Sequence, residues 1–280
     1  MPNFVSAIID PIIQPTPELL STLFYQQGFV VVSGSSIPPQ DPLFTVSAML
    51  GVGERFVSNY NKTYFANKTM GAAVEIGFNK ENIGPNEHPV FEGNSILGQH
   101  VDGTFSPLGE VKTTLLLCEQ QAMSGGESVL FNAYQAIKDI EYSHPHFANA
   151  LASPLALRRR STFKGIHEQM TGPVFGVDPE TGRESVRLAF DDSADWDYGF
   201  SRVPYLLEAV TMLKGFLDRP EFNLTFMLNE GDVLVVDNTR ITHGRLPFVQ
   251  NEARPRMMRR SVHRALPVQY SEGICAAAVV

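Results

Sequence analysis

The chain has 280 residues, 43% of them hydrophobic and 19% charged, with a formal net charge of -8. That composition is ordinary for a folded globular protein and supports a sizeable core. The acidic balance, with Arg158-Arg159-Arg160 as the one basic triplet, argues against a nucleic-acid or anionic-membrane partner.

Two cysteines make no disulfide framework: Cys118 sits in an apolar run and reads as a buried hydrophobe, and Cys275 lies in an alanine-rich tail. Met1-Pro2-Asn3-Phe4 lacks the pattern of a signal peptide, and no apolar run is long enough to span a membrane. The expectation is a cytoplasmic protein, with homo-oligomerisation left open.

In chain order, Thr16-Pro17-Glu18 reads as a capped helix start, with Leu19, Leu20, Leu23 and Phe24 on its apolar face. A strand follows at Phe29 to Gly34, then a helix from Asp41 to Leu50 ending at Gly51. Residues 54 to 94, rich in Asn and Gly, read as loops and short strands. Strands are expected at 95–100, 112–118 and 128–131, with Gly125-Gly126 as a turn. Residues 132 to 152 pattern as helix broken at Pro145. Strands follow at 155–164, 172–177 and 184–190, with Asp178 to Gly182 as a turn. An acidic, aromatic loop covers Asp191 to Tyr198, and a helix covers Pro204 to Asp218. The chain ends in strands at 223–228, 232–236 and 257–265. No linker divides it, so residues 1–280 read as one domain. Many short strands with helices at the front and in the middle fit a closed or nearly closed antiparallel sheet, a jelly roll with helical insertions.

His100 and Asp102 stand two apart where a strand enters a loop, so their side chains point to one side. An imidazole and a carboxylate so placed are two ligands towards a facial non-haem iron site. On their own they are better read as the polar end of a surface hairpin. The run Gly231 to Arg245 ends in His243-Gly244, which offers a third ligand. Further on, alternation puts Arg260, Val262 and Arg264 on one face and Arg259, Ser261 and His263 on the other. Inward arginines in an apolar sheet need anionic partners, and a guanidinium grips a carboxylate bidentately. His263 reads as structural, and His88, His144, His146 and His167 as loop residues.

These pieces in this order resemble the iron(II)/2-oxoglutarate-dependent dioxygenases of the taurine catabolism dioxygenase (TauD/TfdA-like) family. The likeness runs through Phe29 to Gly34, Gly51-Val-Gly-Glu54, His100-x-Asp102, Gly125-Gly126-Glu127-Ser128, Gly231 to Arg245 and Arg259-Arg260-x-x-His263-Arg264. It implies a mainly β fold with a double-stranded β-helix (jelly-roll) core carrying N-terminal and inserted helices. It implies Fe(2+) held by His100, Asp102 and His243, with 2-oxoglutarate and O2 as co-substrates and succinate and CO2 released. It also implies that Arg260 and Ser128 bind the distal carboxylate of 2-oxoglutarate, Ser128 standing where the family usually has Thr. Arg264 matches a position that often contacts an anionic group of the substrate. The gap from His243 to the arginine pair is longer than the family's, which keeps Arg254, Arg256 and Arg259 as alternative anchors.

The expected reaction is oxidation of a small carboxylate-bearing substrate such as a free or modified amino acid. Hydroxylation is the default, with desaturation or epoxidation by the same oxidant. A carboxylate at Asp102 argues against halogenation, for which related enzymes carry a small residue there. The competing reading is a non-catalytic or non-oxidative cupin-like jelly roll that binds a small ligand.

Overall fold

A computed structural model describes residues 4–64, 69–70, 73–77, 93–162 and 165–270, with only the backbone described at 61, 64, 69–70 and 73–77. Cys275 and His88 lie outside these residues.

The two N-terminal helices form as their caps dictate. The Thr16 hydroxyl accepts from the Leu19 amide, the Asp41 carboxylate accepts from the Phe44 amide, and each helix carries Pro at its start. Gly28 and Gly51 end them in the left-handed conformation. Both helices pack Leu20, Phe24, Leu43, Val46 and Leu50 on the outer face of a sheet that supplies Val30, Val32, Leu115, Leu117, Val233 and Val235.

That sheet is six-stranded and antiparallel, in the order Phe29–Val32, Val233–Asp237, Thr113–Gln120, Met257–His263, Ala73–Gly77, Thr69–Met70. A second antiparallel sheet is four-stranded, in the order Asn223–Phe226, Ser128–Phe131, Thr242–Arg245, Leu97–His100. Phe29, Val31, Cys118, Leu234, Val236 and Met258 of the larger sheet meet Leu130, Leu224 and Phe226 of the smaller in one apolar cluster. The Phe29 and Phe226 rings stack with centroids 6.2 Å apart. Alternation explains both clusters: successive residues of Phe29–Val32 point to opposite faces, and both faces are covered.

The core is therefore a sandwich of two open antiparallel sheets, not a closed one. Short antiparallel strands satisfy either arrangement, and here the larger sheet ends at Phe29–Val32, whose outer edge carries, among the described residues, only a single bridge from Ile12 to Val32. The fold class is as expected: mainly sheet, with a jelly-roll core and several helices.

The inserted helices Ala133–Ser143, Pro145–Leu151 and Leu206–Gly215 bury a third cluster with Phe131, Leu157, Val174 and Leu188. The break at Pro145 is where the pattern placed it. The last of these helices starts at Leu206, two residues late, because Tyr205 takes a positive φ of 65°. The acidic loop is partly ordered, as the short strand Ala194–Asp195 and the helix Trp196–Phe200. Among the described residues, no helix is long and apolar enough to cross a membrane.

Candidate active site

The strands Leu97–His100 and Thr242–Arg245 are neighbours, and their register sets His243 opposite His100. Two glycines permit the close approach. A Cβ on Gly244 would lie 2.6 Å from the Leu97 carbonyl oxygen, and one on Gly98 would lie 2.4 Å from that of Phe190. The imidazole rings consequently sit 4.6 Å apart, centroid to centroid.

Asp102 follows just past the strand end and is clamped by Asn238, from the turn after Val233–Asp237. The Asn238 Oδ1 accepts from the Asp102 amide at 2.8 Å, while its Nδ2 donates to the carbonyls of Asp102 at 3.2 Å and Val111 at 2.9 Å. The Asp102 carboxylate accepts from the Thr114 hydroxyl at 2.8 Å and pairs with the Arg260 guanidinium. Ligand atoms of His100, Asp102 and His243 all lie within 4.8 Å of one another, and all three residues are buried. They form the one such group among the described residues.

The donor set fits a divalent ion. The His100 Nδ1 lies 2.9 Å from the Gly98 carbonyl oxygen, which fixes the proton there and leaves the Nε2 lone pair free. The His243 Nε2 is 3.7 Å from Asp102 Oδ2, beyond hydrogen-bond reach, and its buried Nδ1 has no partner among the described residues. A buried imidazole with unmet nitrogens is costly unless something accepts its electron pair.

The charges suit the same purpose. Burial pushes the Asp102 carboxyl up, but Arg260, the two histidines and Thr114 outweigh it and hold the group well below the usual carboxylate range. Burial takes His243 down to about 3, with the charges of His100 and Arg260 adding to the effect and Asp102 opposing it. The site therefore presents a carboxylate and a neutral imidazole, the forms that bind metal.

All three residues open onto a cavity of about 180 Å³. Arg260 and Val262 line it, as alternation required, and so does Ser128. Arg264 does not. The strand stops at His263, alternation stops with it, and Arg264 turns outward to pair with Glu110 over the Phe56 ring. The expectation of an inward Arg264 is corrected accordingly. His263 is buried away from the cavity, its Nδ1 3.1 Å from the Gly53 carbonyl oxygen. His144 and His146 lie at a helix start beside Phe147, and His167 is exposed.

Of the alternative arginines, Arg254 pairs with Glu230 at the surface and Arg259 pairs with Glu119. Arg256 differs: it is only 9% exposed, lines the cavity together with Ser128, and has no carboxylate partner among the described residues. Its guanidinium lies over the Phe248 ring, and burial lowers its pKa. Residue patterning did not single out Thr114, Asn238 or Asp191. Asp191 lies 3.8 Å from His100 Nδ1 and 3.7 Å from the fully buried Arg159. The Asp237-Asn238-Thr239 turn after a buried strand was the available signal for Asn238.

Comparison with known proteins identifies the family. The model of the family "Taurine catabolism dioxygenase TauD, TfdA family" matches residues 8–262. A uridine-5'-phosphate dioxygenase of Amycolatopsis sp is 32% identical over 243 residues, 86% of each chain. Solved structures share the fold at lower identity. An asparagine oxygenase in complex with Fe(II), 2S,3S-3-hydroxyasparagine and succinate superposes with a TM-score of 0.64 at 17% identity, covering 88% of this chain and 78% of that one. The non-heme iron oxygenase OrfP in complex with Fe and alpha-ketoglutaric acid gives 0.55 at 17% identity, over 86% and 76%. The chain belongs to the taurine catabolism dioxygenase TauD, TfdA family and is an oxygenase that uses Fe(II) and 2-oxoglutarate.

Proposed function

We propose that His100, Asp102 and His243 hold the iron, that Arg256 with Ser128 seats the distal carboxylate of 2-oxoglutarate, and that residues 1–280 work as one domain oxidising a small anionic molecule. The observation that carries this reading is the convergence of the three ligand atoms within 4.8 Å on the wall of a cavity. Bound there, iron with 2-oxoglutarate supplies O2-dependent oxidation of a C–H bond, with succinate and CO2 as the other products.

Each protein group has a defined task. The Gly98 carbonyl sets the His100 tautomer, and Thr114 and Arg260 aim the Asp102 carboxylate and keep it ionised. Arg256 is preferred to Arg260 as the co-substrate anchor because Arg260 already faces a carboxylate. A buried guanidinium such as Arg256 calls for an anion, and Ser128 adds a hydroxyl donor on the same wall. Hydroxylation is the default outcome, since Asp102 occupies the coordination position that halide would need.

The Amycolatopsis relative is by name a uridine-5'-phosphate dioxygenase, and the asparagine oxygenase structure holds a hydroxylated amino acid. Both point to a small anionic or zwitterionic metabolite. A cytosolic setting suits the buried free thiol of Cys118. The test is succinate release from 2-oxoglutarate with Fe(II) and O2 over a panel of amino acids and nucleotides. Substrate-stimulated succinate is expected, and it is expected to vanish in His100→Ala. Undiminished turnover in that variant overturns the ligand assignment.

A further inference from the structure

The Arg158-Arg159-Arg160 triplet ends the strand Leu157–Arg160 beside the cavity. Two of its charges are answered. Arg158 pairs with Asp195 and lies over the Tyr198 ring, and Arg159 donates to Ser193 Oγ at 3.1 Å and to the Val101 carbonyl at 2.9 Å, with Asp191 3.7 Å away. Arg160 has no such partner among the described residues. Its charge helps to lower the Asp195 carboxyl, which Arg158 already holds. Arg160 nevertheless lines the cavity, followed on the same wall by the hydroxyls of Ser161 and Thr162.

An aromatic wall adjoins this cationic corner. The Tyr60 hydroxyl lies 2.8 Å from Ser161 Oγ, and the Tyr60 ring packs on Phe105 with centroids 4.6 Å apart. Both rings line the cavity. The remaining wall carboxylates are Asp102 and Asp191, already engaged by Arg260, Arg159 and His100, and Asp192. A carboxylate such as Asp192 accepts hydrogen bonds from sugar hydroxyls and repels a bare anion that approaches it.

We infer that this corner is a substrate site for a nucleoside monophosphate, with the phosphate on Arg160, Ser161 and Thr162 and the base against Tyr60 and Phe105. The inference rests on the oxygenase reading of the same cavity and names its substrate class. A guanidinium flanked by hydroxyls matches a phosphomonoester, and a planar base gains from an aromatic face. An amino acid such as asparagine has no ring to set against the aromatic wall and no phosphate for Arg160.

Calorimetric titration of the metal-free full chain tests this with uridine 5'-monophosphate, uridine, inorganic phosphate, L-asparagine and L-arginine as probes. The nucleotide is expected to bind at least about tenfold more tightly than uridine, as a charged hydrogen bond of ~1.5–3 kcal/mol implies. Arg160→Ala is expected to erase that margin while its affinity for uridine is retained. Phe105→Leu is expected to weaken nucleotide and nucleoside alike and to leave inorganic phosphate unaffected. Equal binding of nucleotide and nucleoside, absence of nucleotide binding, an unchanged margin in Arg160→Ala, or tighter binding of either amino acid overturns the inference. Anaerobic binding of 2-oxoglutarate to the Fe(II)-loaded chain reports separately on the oxygenase reading, so the two failures are distinguishable.

Discussion

Arg260 donates to the Asp102 carboxylate from across the sandwich, joining the strand Met257–His263 of the larger sheet to the loop that leaves the smaller one. On the proposed ligand set, the contact makes Arg260 a positioning residue for Asp102. Replacing it with Ala leaves Asp102 less firmly ionised and free to rotate. The expected result is a loss of about 10- to 100-fold in Fe(II) affinity. The KM for 2-oxoglutarate, measured at saturating iron, is expected to move far less. A large rise in that KM with iron affinity intact returns Arg260 to the role of co-substrate anchor.

Arg256→Met is expected to do the reverse. Iron binding persists, while affinity for 2-oxoglutarate drops by about 2–5 kcal/mol, the range for truncating one member of a buried charge pair. The metal-free variant is expected to be no less stable to heat, because a buried cation without a carboxylate partner has been exchanged for an apolar chain. A 2-oxoglutarate titration and a thermal melt check both halves.

Asn238→Ala removes three hydrogen bonds, two to the Asp102 backbone and one to the Val111 carbonyl. Each buried group left unmet costs about 1–3 kcal/mol. Urea denaturation is expected to show a loss of several kcal/mol, and iron affinity is expected to fall with it. A variant as stable as the wild type and with unchanged iron binding contradicts this role.

The metal-free protein is expected to lose stability in mild acid through His243. The group titrates near its ordinary 6.5 when unfolded and near 3 in the fold. Between those values the unfolded chain binds a proton that the fold refuses. The contribution is therefore complete above pH 6.5 and falls by up to about 1.4 kcal/mol per pH unit on the way down to 3. Urea midpoints of wild type and His243→Asn, compared at about pH 7 and about pH 5, check the sign: the variant is expected to show the flatter dependence.

How much of this was legible in the residues varies by position. His100 and Asp102 were visible because strand alternation is a local rule, and His243 because Gly244 marks a close approach. The helix caps at Thr16 and Asp41 were visible for the same local reason. Arg264 was misplaced because alternation holds only within a strand, and that strand ends at His263. Arg256 could not be ranked above Arg260, since which arginine meets a carboxylate depends on strands far apart in the chain. Asn238 and Thr114 act on Asp102 across separations of 136 and 12 residues, and a one-dimensional pattern carries no trace of such partners. A closed or nearly closed sheet was expected, and open sheets were found, because alternating short strands suit an open sandwich as well as a barrel.

The most direct measurement is anaerobic titration of the full chain with Fe(II) and then 2-oxoglutarate, following bound iron and the visible charge-transfer band. Wild type is expected to take up one iron per chain and to develop the band, and His243→Ala to do neither. A full-strength band in His243→Ala contradicts the shared-ion geometry of residues 100, 102 and 243.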